Sequence, residues 1–432
     1  MATTFVSPMS RRRLLQGAAG FAALPMLTKL ANAAPAQALS FIGWPFAPQA
    51  VEENVGIFRK LYDENVNYEL ITGDYQAVAE TKLTGGQTYD MMYISEFRIA
   101  RWHAANWIRD LEGLEGVEDI KAALLPVSLE SLTLPNGRLG ALPYYVGHYC
   151  FVYNEEHLQK VGLGVPDSWE ALIDACRKLK KDGISDAPYN GAWGRNWPEL
   201  SWSLFSSWYS EGAQVFDEKE ELVPDTAFRK VLETYRMLYK DGLVTADIMT
   251  QPNEGVPSYS SGRHTFQLMH DYNQKVVNDP KVSKVAGKIR NALMPGASHA
   301  TLAWTEGYAM GAQPVDVERT WKLLRFFGGK AKDGEYHVIK RWALEFGLSS
   351  AYSEVMADPE VVEDFEKWRD LETTRKQLQL AKSRKIAKSI WFPEWDAFMM
   401  QRAQEYIRGG LSTDQLIDEL AAKVSELKKV YQ

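Results

Sequence analysis

The sequence predicts an α/β protein whose sheets are mostly parallel and are covered by helices. Short apolar runs alternate with helical patterns over the first part of the chain, and such alternation is typical of parallel sheets. The apolar run at residues 89–94 supports this prediction, because a parallel strand buried on both faces carries mainly apolar side chains. With 432 residues, the chain has room for two or three domains.

The N-terminal elements follow the order β-α-β-α-β-α. Apolar residues with strand-like spacing predict strands at 39–44, 66–70 and 89–94. Pro45 stops the first of these strands. Apolar residues at helical spacing predict helices within 51–62, 78–83 and 97–107.

The later part of the chain is less regular, above all between residues 185 and 300. Ser168 and Glu170 fit a helix start with a capping residue, and Ser412 with Gln415 predicts the start of the last helix. Further strands are predicted at 149–153 and 301–311, and further helices from about 155, from about 168, at 317–327 and from 358 onward. The aromatic run 391–395 is expected to interrupt the helical C-terminal region.

Composition excludes several classes of protein. A chain that is 45% hydrophobic and 24% charged is globular rather than disordered, and a net charge of −7 gives no basic domain for nucleic acid. Two cysteines cannot form a disulfide framework or a cysteine-rich zinc site. Cys150 and Cys176 are expected to be buried apolar residues. An oxidised pair remains the alternative in an exported protein.

The first 33 residues are typical of an export signal. Arg11, Arg12 and Arg13 precede a mild apolar stretch, and residues 31–33 read Ala-Asn-Ala, a small-residue cleavage site. The paired arginines resemble the twin-arginine type of signal. We therefore expect cleavage near Ala33 and a periplasmic location. The alternative is a basic N-terminal membrane anchor.

Four segments in sequence resemble the bacterial extracellular solute-binding proteins of ABC importers, in the carbohydrate-type family of maltose-binding protein relatives. In chain order, segments of this sequence are similar to the family motifs "P-D-V-V", "G-x-x-Y-G-L-P-Y", "Y-N-K-D", "P-x-T-W-x-E-L" and "x-G-K-A-A-M". These segments are 137–144 with 151–156 and 166–172, 89–92 with 111–112, 261–269, and 306–310 with 321–327. Glu306 stands where this family commonly has glycine, and His148 and Cys150 are unusual additions.

The resemblance implies a two-lobed fold of the periplasmic binding protein type II kind, with a hinge and a ligand cleft between the lobes. Hinge crossings are expected near 143–146 and 303–308. By the same resemblance, lobe one is expected at 38–144 plus 305–355, and lobe two at 145–304 plus 356–432. The implied function is the binding of a carbohydrate or polyol and its delivery to a membrane permease. The resemblance also implies a monomer without cofactor or catalytic residues.

Aromatic side chains are the first candidates for ligand contacts. The chain has 14 Trp and 20 Tyr, and an aromatic ring offers a flat apolar face on which a sugar ring stacks. Trp44 follows the first strand, and Trp193 and Trp197 lie in a loop-like segment. The alternative for each aromatic residue is a place in the core.

Polar and aromatic groups near the ends of the predicted strands and at the hinge complete the candidate site. Carboxylates there would accept hydrogen bonds from ligand hydroxyls, and the alternative for each is a solvated loop charge. These further candidates are Asp74, Tyr75, Glu96, Tyr145, His148, Asn196, His270, Asp271, Tyr272, Trp304 and Glu306.

Enzyme motifs are missing from the sequence. It has no H-E-x-x-H, G-x-S-x-G, G-x-x-x-x-G-K-[ST] or G-x-G-x-x-G run, and its seven His show no metal-ligand spacing. Three alternatives remain open. The ligand could be a polyamine held by Glu96, Asp271 and Glu306, or an anionic sugar bound by Arg195 or Arg98. A secreted glycoside hydrolase needs only two carboxylates, which a sequence cannot exclude.

Overall fold

The computed structural model describes residues 37–195 and 197–431, and in this part of the chain it confirms the α/β prediction. The predicted export signal and Asn196 lie outside the described residues. Eight strands form one mixed sheet in the order β2-β1-β3-β8-β4-β6-β5, and β7 pairs with β4. The strands are β1 (Leu39–Gly43), β2 (Val66–Leu70), β3 (Met91–Ile94), β4 (Leu142–Asn154), β5 (Tyr189–Asn190), β6 (Phe266–His270), β7 (Ile289–Ala292) and β8 (Ala303–Met310).

Eighteen α-helices lie in the described part of the chain. The first nine are α1 (Pro48–Tyr62), α2 (Tyr75–Thr84), α3 (Glu96–Ala104), α4 (Val117–Ala123), α5 (Pro126–Leu132), α6 (Glu155–Val161), α7 (Trp169–Lys181), α8 (Glu199–Glu211) and α9 (Thr226–Lys240). The others are α10 (Val256–Ser260), α11 (Asn273–Val277), α12 (Val317–Gly328), α13 (His337–Phe346), α14 (Ser353–Met356), α15 (Pro359–Glu366), α16 (Leu371–Leu380), α17 (Phe392–Ile407) and α18 (Thr413–Val430). Short 3-10 turns occupy Asn253–Gly255 and Lys385–Lys388.

The predicted β-α-β-α-β start of the chain is confirmed. Strand β1 pairs in parallel with β2 and with β3, as expected when helices connect successive strands. Beyond β3 the sheet becomes antiparallel, because β8 pairs antiparallel with both β3 and β4. A second parallel pair joins β5 to β6.

Strand β4 is longer than the sequence predicted. Its 13 residues include both the expected hinge crossing and the strand expected at 149–153. The first half pairs with β8, and the second half pairs with β6 and β7. One hydrophobic core, the first core, packs around β1, β3 and the start of β4. A second core packs around β6, α8, α9 and α17 together with Tyr149 and Phe151 of β4. Strands β4 and β8 therefore connect the two cores.

Two details of the C-terminal region are settled by the structure. The aromatic run 391–395 does not interrupt a helix; its side chains begin α17, where Pro393 occupies the first turn. Its rings fill the second core, which is why so many aromatics stand together. The capping box of Ser412 and Gln415 at the start of α18 is confirmed.

The state of the two cysteines and the apolar character of the helices were also open questions from the sequence. Cys150 and Cys176 are both buried free thiols, as expected for small apolar residues. Within the described residues, no helix combines the length and the apolar character that crossing a membrane requires.

A buried ion pair holds the end of β6 against β4. The Asp271 carboxylate accepts hydrogen bonds from Arg369 at 3.1 Å and from the Ser349 hydroxyl at 2.5 Å. Its other oxygen accepts from the backbone N–H of His148 at 3.4 Å. The Arg369 side chain is fully buried, and Phe365 and Trp368 pack against its guanidinium. This network joins four separate segments of the chain, at His148, Asp271, Ser349 and Arg369.

We predict that Asp271→Asn lowers the free energy of unfolding by about 3–5 kcal/mol, because it leaves the buried Arg369 charge without its partner. Urea unfolding followed by circular dichroism measures this loss. Asp241→Asn is the matched control, since Asp241 pairs with the half-exposed Arg177, and it should cost no more than about 1 kcal/mol. Equal losses in the two variants would contradict the structural role of Asp271.

Candidate functional site

One face of the sheet collects most of the candidate side chains. In antiparallel pairs, directly opposed residues share a face. Glu306 lies opposite Tyr145, and Trp304 lies opposite Gly147. Tyr149, further along the same face of β4, lies opposite His270 of β6. Together with Tyr93 of β3, these residues form what we call the site face: Tyr93, Tyr145, Gly147, Tyr149, His270, Trp304 and Glu306.

At the β3 end of the site face, the stacked rings of Trp44 and Tyr93, here called the aromatic wall, lie beside the carboxyl group of Glu306. The Tyr93 hydroxyl donates a hydrogen bond of 2.8 Å to Glu306 Oε2. The half-buried Trp44 ring stacks on Tyr93, with centroids 4.9 Å apart and planes only 4° from parallel. Tyr75 supports this wall from below, because its hydroxyl donates to the Tyr93 carbonyl at 2.7 Å.

Glu306 has an unusual ionisation. Burial raises its pKa from the ordinary 4.5 to about 8, and the nearby charge of Glu96 raises the pKa further, while the hydrogen bonds from Tyr93 and Ser95 lower it. The carboxyl group is therefore largely protonated near neutral pH. Such a group both donates and accepts hydrogen bonds, as a hydroxyl-rich ligand requires.

The middle of the site face requires glycine at position 147. A Cβ atom at Gly147 would lie 2.6 Å from Cζ2 of Trp304 and 3.0 Å from Cε2 of Tyr145. Glycine therefore lets the Trp304 ring lie across β4. On its other side, Trp304 stacks on Trp202 of α8, with centroids 5.7 Å apart and planes 9° from parallel.

The β6 end of the site face centres on His270. Its ring meets Trp304 and Trp202 edge-on at 4.8 and 4.9 Å, and it stacks on Tyr272 at 5.2 Å. The imidazole Nδ1 lies against a carboxylate oxygen of Glu254. Glu254 has a φ of 57°, in the left-handed region, within the turn before α10. That strained backbone holds its carboxylate beside β6.

Glu199 adds a second carboxyl group at this end. It begins α8 and lies three residues before Trp202, so both side chains share one face of the helix. Burial raises the pKa of Glu199 to about 7, and the charge of Glu254 raises the pKa further. Backbone N–H groups of Glu254 and Gly194 act in the opposite direction.

The structure brings together six of the predicted site residues and places a seventh behind them. The six are Trp44, Tyr145, His270, Tyr272, Trp304 and Glu306, and Tyr75 is the supporting residue. Glu96 lies next to the site, where it accepts from the backbone N–H of Thr305 at 3.3 Å. Burial raises the pKa of Glu96 to about 7, while the charges of Arg384 and Lys388 lower it.

Other predicted residues lie elsewhere, for physical reasons. Trp193 is fully buried in the second core and stacks on Tyr235 at 4.9 Å. Asp74 caps α2 by accepting from the backbone N–H of Ala77. His148 and Asp271 belong to the buried network behind the sheet, where their hydrogen-bonding groups face protein partners. Burial lowers the pKa of His148 to about 4.

The loop 191–198 is only partly described. Trp197 is 67% exposed, and the ring contacts of the described residues do not include it. Asn196 lies outside the described residues. The ligand roles expected of these two residues stay predictions.

Sequence reasoning missed Trp202, Glu199, Glu254, Tyr93 and Tyr149. Trp202 follows Trp193 and Trp197 closely in the sequence, and Glu199 follows Pro198 at a helix start, so both had a visible signal. Glu254 had none, because its position depends on a left-handed turn.

The family of bacterial extracellular solute-binding proteins matches residues 45–332 of this chain. The match covers well over half of the chain, and the protein therefore belongs to this family. The resemblance found in the sequence is confirmed.

Similar proteins come from several organisms. The chain is 20% identical over 301 residues to the maltotriose-binding protein of Pyrococcus abyssi (strain GE5 / Orsay), a match that covers 67% of this chain and 61% of that protein. The chain thus spans about three fifths of the length of this curated relative.

Solved structures share the fold. MalE3 of T. maritima with bound maltose has a TM-score of 0.74 and 19% identity, over 90% of this chain and 99% of that one. A solute-binding protein of an ABC transporter from Agrobacterium vitis S4, with bound D-mannitol, has a TM-score of 0.68 and 20% identity, over 91% and 99%. The two-lobed binding-protein fold expected from the sequence is thereby confirmed.

We predict that Gly147→Ala displaces the Trp304 ring, because the added methyl group and the ring cannot occupy the same space. The near-ultraviolet circular dichroism of the stacked tryptophans should lose intensity, and the melting temperature should fall. Gly164→Ala is the control, since a Cβ there meets nothing within 4 Å. An unchanged spectrum in Gly147→Ala would contradict the described packing.

We predict that the melting temperature falls as the pH rises from about 5 to about 8. The folded state holds the Glu306 proton more tightly than the unfolded state, so its stabilising effect is complete below the ordinary pKa of 4.5 and is lost as the pH passes through about 8. Glu306→Gln, which is always neutral, should flatten this dependence, whereas the exposed Glu118→Gln should not. Thermal unfolding at a series of pH values measures both, and an unchanged slope in Glu306→Gln would refute the assignment.

Proposed function

We propose that this protein is the substrate-binding component of an ABC importer and that it binds a carbohydrate or polyol at the site face. Membership of the solute-binding family supports the general role. The single observation that carries the ligand class is the combination of stacked tryptophans with buried carboxyl groups on one sheet face. The relatives with bound maltose and D-mannitol are consistent with this class.

The site face has the chemistry that sugars require. The rings of Trp44 and Trp202 are only half-buried, and their flat faces suit the C–H face of a sugar ring. The carboxyl groups of Glu306, Glu199 and Glu254 are hydrogen-bonding partners for hydroxyl groups. A site of this kind also rejects analogues that lack the hydroxyls, because its own groups are left unpaired.

Binding would act through the hinge. We propose lobe one at 38–144 plus 305–355 and lobe two at 145–304 plus 356–432, joined by β4 and β8. A ligand that contacts both lobes favours the closed form, since it binds that form more tightly. The closed form would dock on the permease as a monomer and release the solute. No bond is made or broken in this mechanism.

The proposal includes export to the periplasm with cleavage near Ala33. The name of the family, extracellular solute-binding protein, agrees with an exported protein. The N-terminal residues that carry the signal lie outside the described part of the chain, so the support for cleavage comes from the sequence pattern alone.

The alternatives fit the geometry less well. A polyamine held by Glu96, Asp271 and Glu306 would have to compete with Arg369 for Asp271. An anionic sugar would have to compete with Glu80 for Arg98, since these two charged groups lie 3.7 Å apart. The other candidate, Arg195, is exposed on its loop and does not belong to the site face. A glycoside hydrolase is distinguished by experiment: a bound sugar recovered unchanged after prolonged incubation supports a binding protein, and cleavage products support the enzyme.

We predict that at least one of maltose, maltotriose, D-mannitol and ribitol raises the melting temperature of the mature protein, as a ligand specific for the folded state must. Trp202→Ala should weaken binding of that ligand about tenfold or more, because it removes a stacking face of about 1 kcal/mol beyond the buried area. Trp107→Ala is the matched control, since Trp107 is a half-buried tryptophan that packs on Trp102 outside the site face. Calorimetric titration measures both. If none of these sugars and polyols raises the melting temperature, the proposed ligand class is refuted.

A further inference from the structure

Two buried carboxyl groups lie near each other at the β6 end of the site face, where the backbone N–H of Glu254 donates to Glu199. Glu199 begins α8, and Glu254 lies in the turn before α10. The two residues are only 8% and 9% exposed. They are close enough for the charge of Glu254 to raise the pKa of Glu199 beyond the effect of burial. Two like charges at such a place are costly unless something compensates them.

The protein places an arginine beside two of its other buried acids. Asp271 pairs with Arg369, and Asp396 lies 3.8 Å from Arg384. Across residues 37–195 and 197–431, by contrast, neither Glu199 nor Glu254 forms an ion pair with Lys or Arg. Glu254 has only the imidazole of His270 and two N–H donors, from the His270 backbone and the Asn273 side chain. Glu199 accepts from the backbone N–H groups of Glu254 and Gly194, and the charge of His270 also lowers its pKa.

A third group at the same place also lacks a protein partner. The Tyr149 hydroxyl is fully buried and forms no hydrogen bond with the described residues. The charges of Glu254 and Glu199 are the two that most affect its pKa, after burial, and both raise it. The Tyr149 ring packs edge-on to the His270 imidazole at 4.9 Å, and that imidazole contacts Glu254, so Tyr149 lies beside the acid pair. The indole N–H of Trp202, on the same face of α8 as Glu199, also has no partner in the described part of the chain.

A cation is the ligand group that would best satisfy the carboxyl groups of Glu199 and Glu254 and the hydroxyl of Tyr149. A protonated amine has three N–H donors, which suit two carboxylates and a phenol oxygen at once. Hydrogen bonds between charged groups are stronger than those from a neutral hydroxyl. The rings of Trp202 and Tyr272 beside His270 offer faces that favour a cation over a neutral group. A negatively charged ligand would meet like charge.

We propose that Glu199 and Glu254 are specificity-determining residues that select a sugar or polyol carrying a protonated amine over its neutral analogue and exclude the corresponding acid. This inference rests on the proposed function and narrows its ligand class. The amine lies between the two carboxylates, with the Tyr149 hydroxyl as an additional acceptor. The rest of the ligand extends along the site face towards Trp304 and Glu306.

The test uses matched sets that differ in one group. The sets are D-glucose, D-glucosamine and D-glucuronate; D-mannose, D-mannosamine and D-mannuronate; and D-glucitol, 1-amino-1-deoxy-D-glucitol and D-gluconate. Thermal shift of the mature protein near pH 7, followed by calorimetric titration, ranks each set. We expect the amino form of at least one set to bind about tenfold more tightly than its neutral form. The acid form of that set should give no shift.

Variants assign the preference to the acid pair. Glu199→Gln keeps an oxygen for the backbone N–H groups and removes the charge, so the preference for the amino form should fall below about threefold. Tyr149→Phe should weaken the amino form more than the neutral form. Glu233→Gln, exposed on α9, makes the same charge change away from the site and should leave the ranking unchanged.

The outcomes that overturn the inference are distinct from those that overturn the proposed function. A neutral form that binds as tightly as its amino analogue overturns the selection for an amine but leaves a carbohydrate or polyol binder. A panel in which no amino form raises the melting temperature also overturns it, whatever the neutral sugars do. An amine preference that survives Glu199→Gln overturns the role of the acid pair.

Discussion

The antiparallel pairing of β4 with β8 positions both the candidate site and the two hydrophobic cores. It sets Tyr145 opposite Glu306 and Gly147 opposite Trp304, so that one face of two adjacent strands carries a phenol, a carboxyl group and an indole. The same two strands connect the first core to the second, because β8 continues to β3 and β4 continues to β6. A ligand on this face therefore touches the very strands whose bending would move one core relative to the other. In the proposed mechanism, ligand binding and hinge movement are therefore coupled.

Buried acids divide into two groups, and the division separates scaffold from site. Asp271 and Asp396 lie beside buried arginines, and these pairs hold segments together at the cost of desolvating both charges. Glu306, Glu199 and Glu254 lie on or beside the site face without such partners, and burial raises the pKa of Glu306 to about 8 and that of Glu199 to about 7. Acids that a protein buries without compensation are typical of places where a ligand supplies the missing hydrogen bonds.

Much of the fold was predictable from sequence, because the N-terminal alternation of strands and helices is strong and local. Part of the site was predictable too: Trp44, Trp304 and Glu306 stand at strand ends and in the expected hinge. Two candidates lie behind the sheet for the same reason. His148 and Asp271 are each one residue away from the site face along their strands, and side chains alternate between faces, so a shift of one residue sends them behind the sheet. Their partner Arg369 is 98 residues away from Asp271, and no local pattern predicts that pairing. Glu199 and Glu254 came together through a helix start and a left-handed turn, which local sequence does not reveal.

Hydrogen–deuterium exchange of the mature protein, with and without the carbohydrate or polyol that gives the largest thermal shift, determines whether the ligand binds at the site face. If the ligand lies on the site face and joins the two cores, exchange should slow in β3, in the middle of β4 and β8, at the start of α8, and from residue 253 to 273. If slowing is instead confined to the surface groove near Arg236 and Tyr406, the ligand binds elsewhere, and the site face has a structural role only.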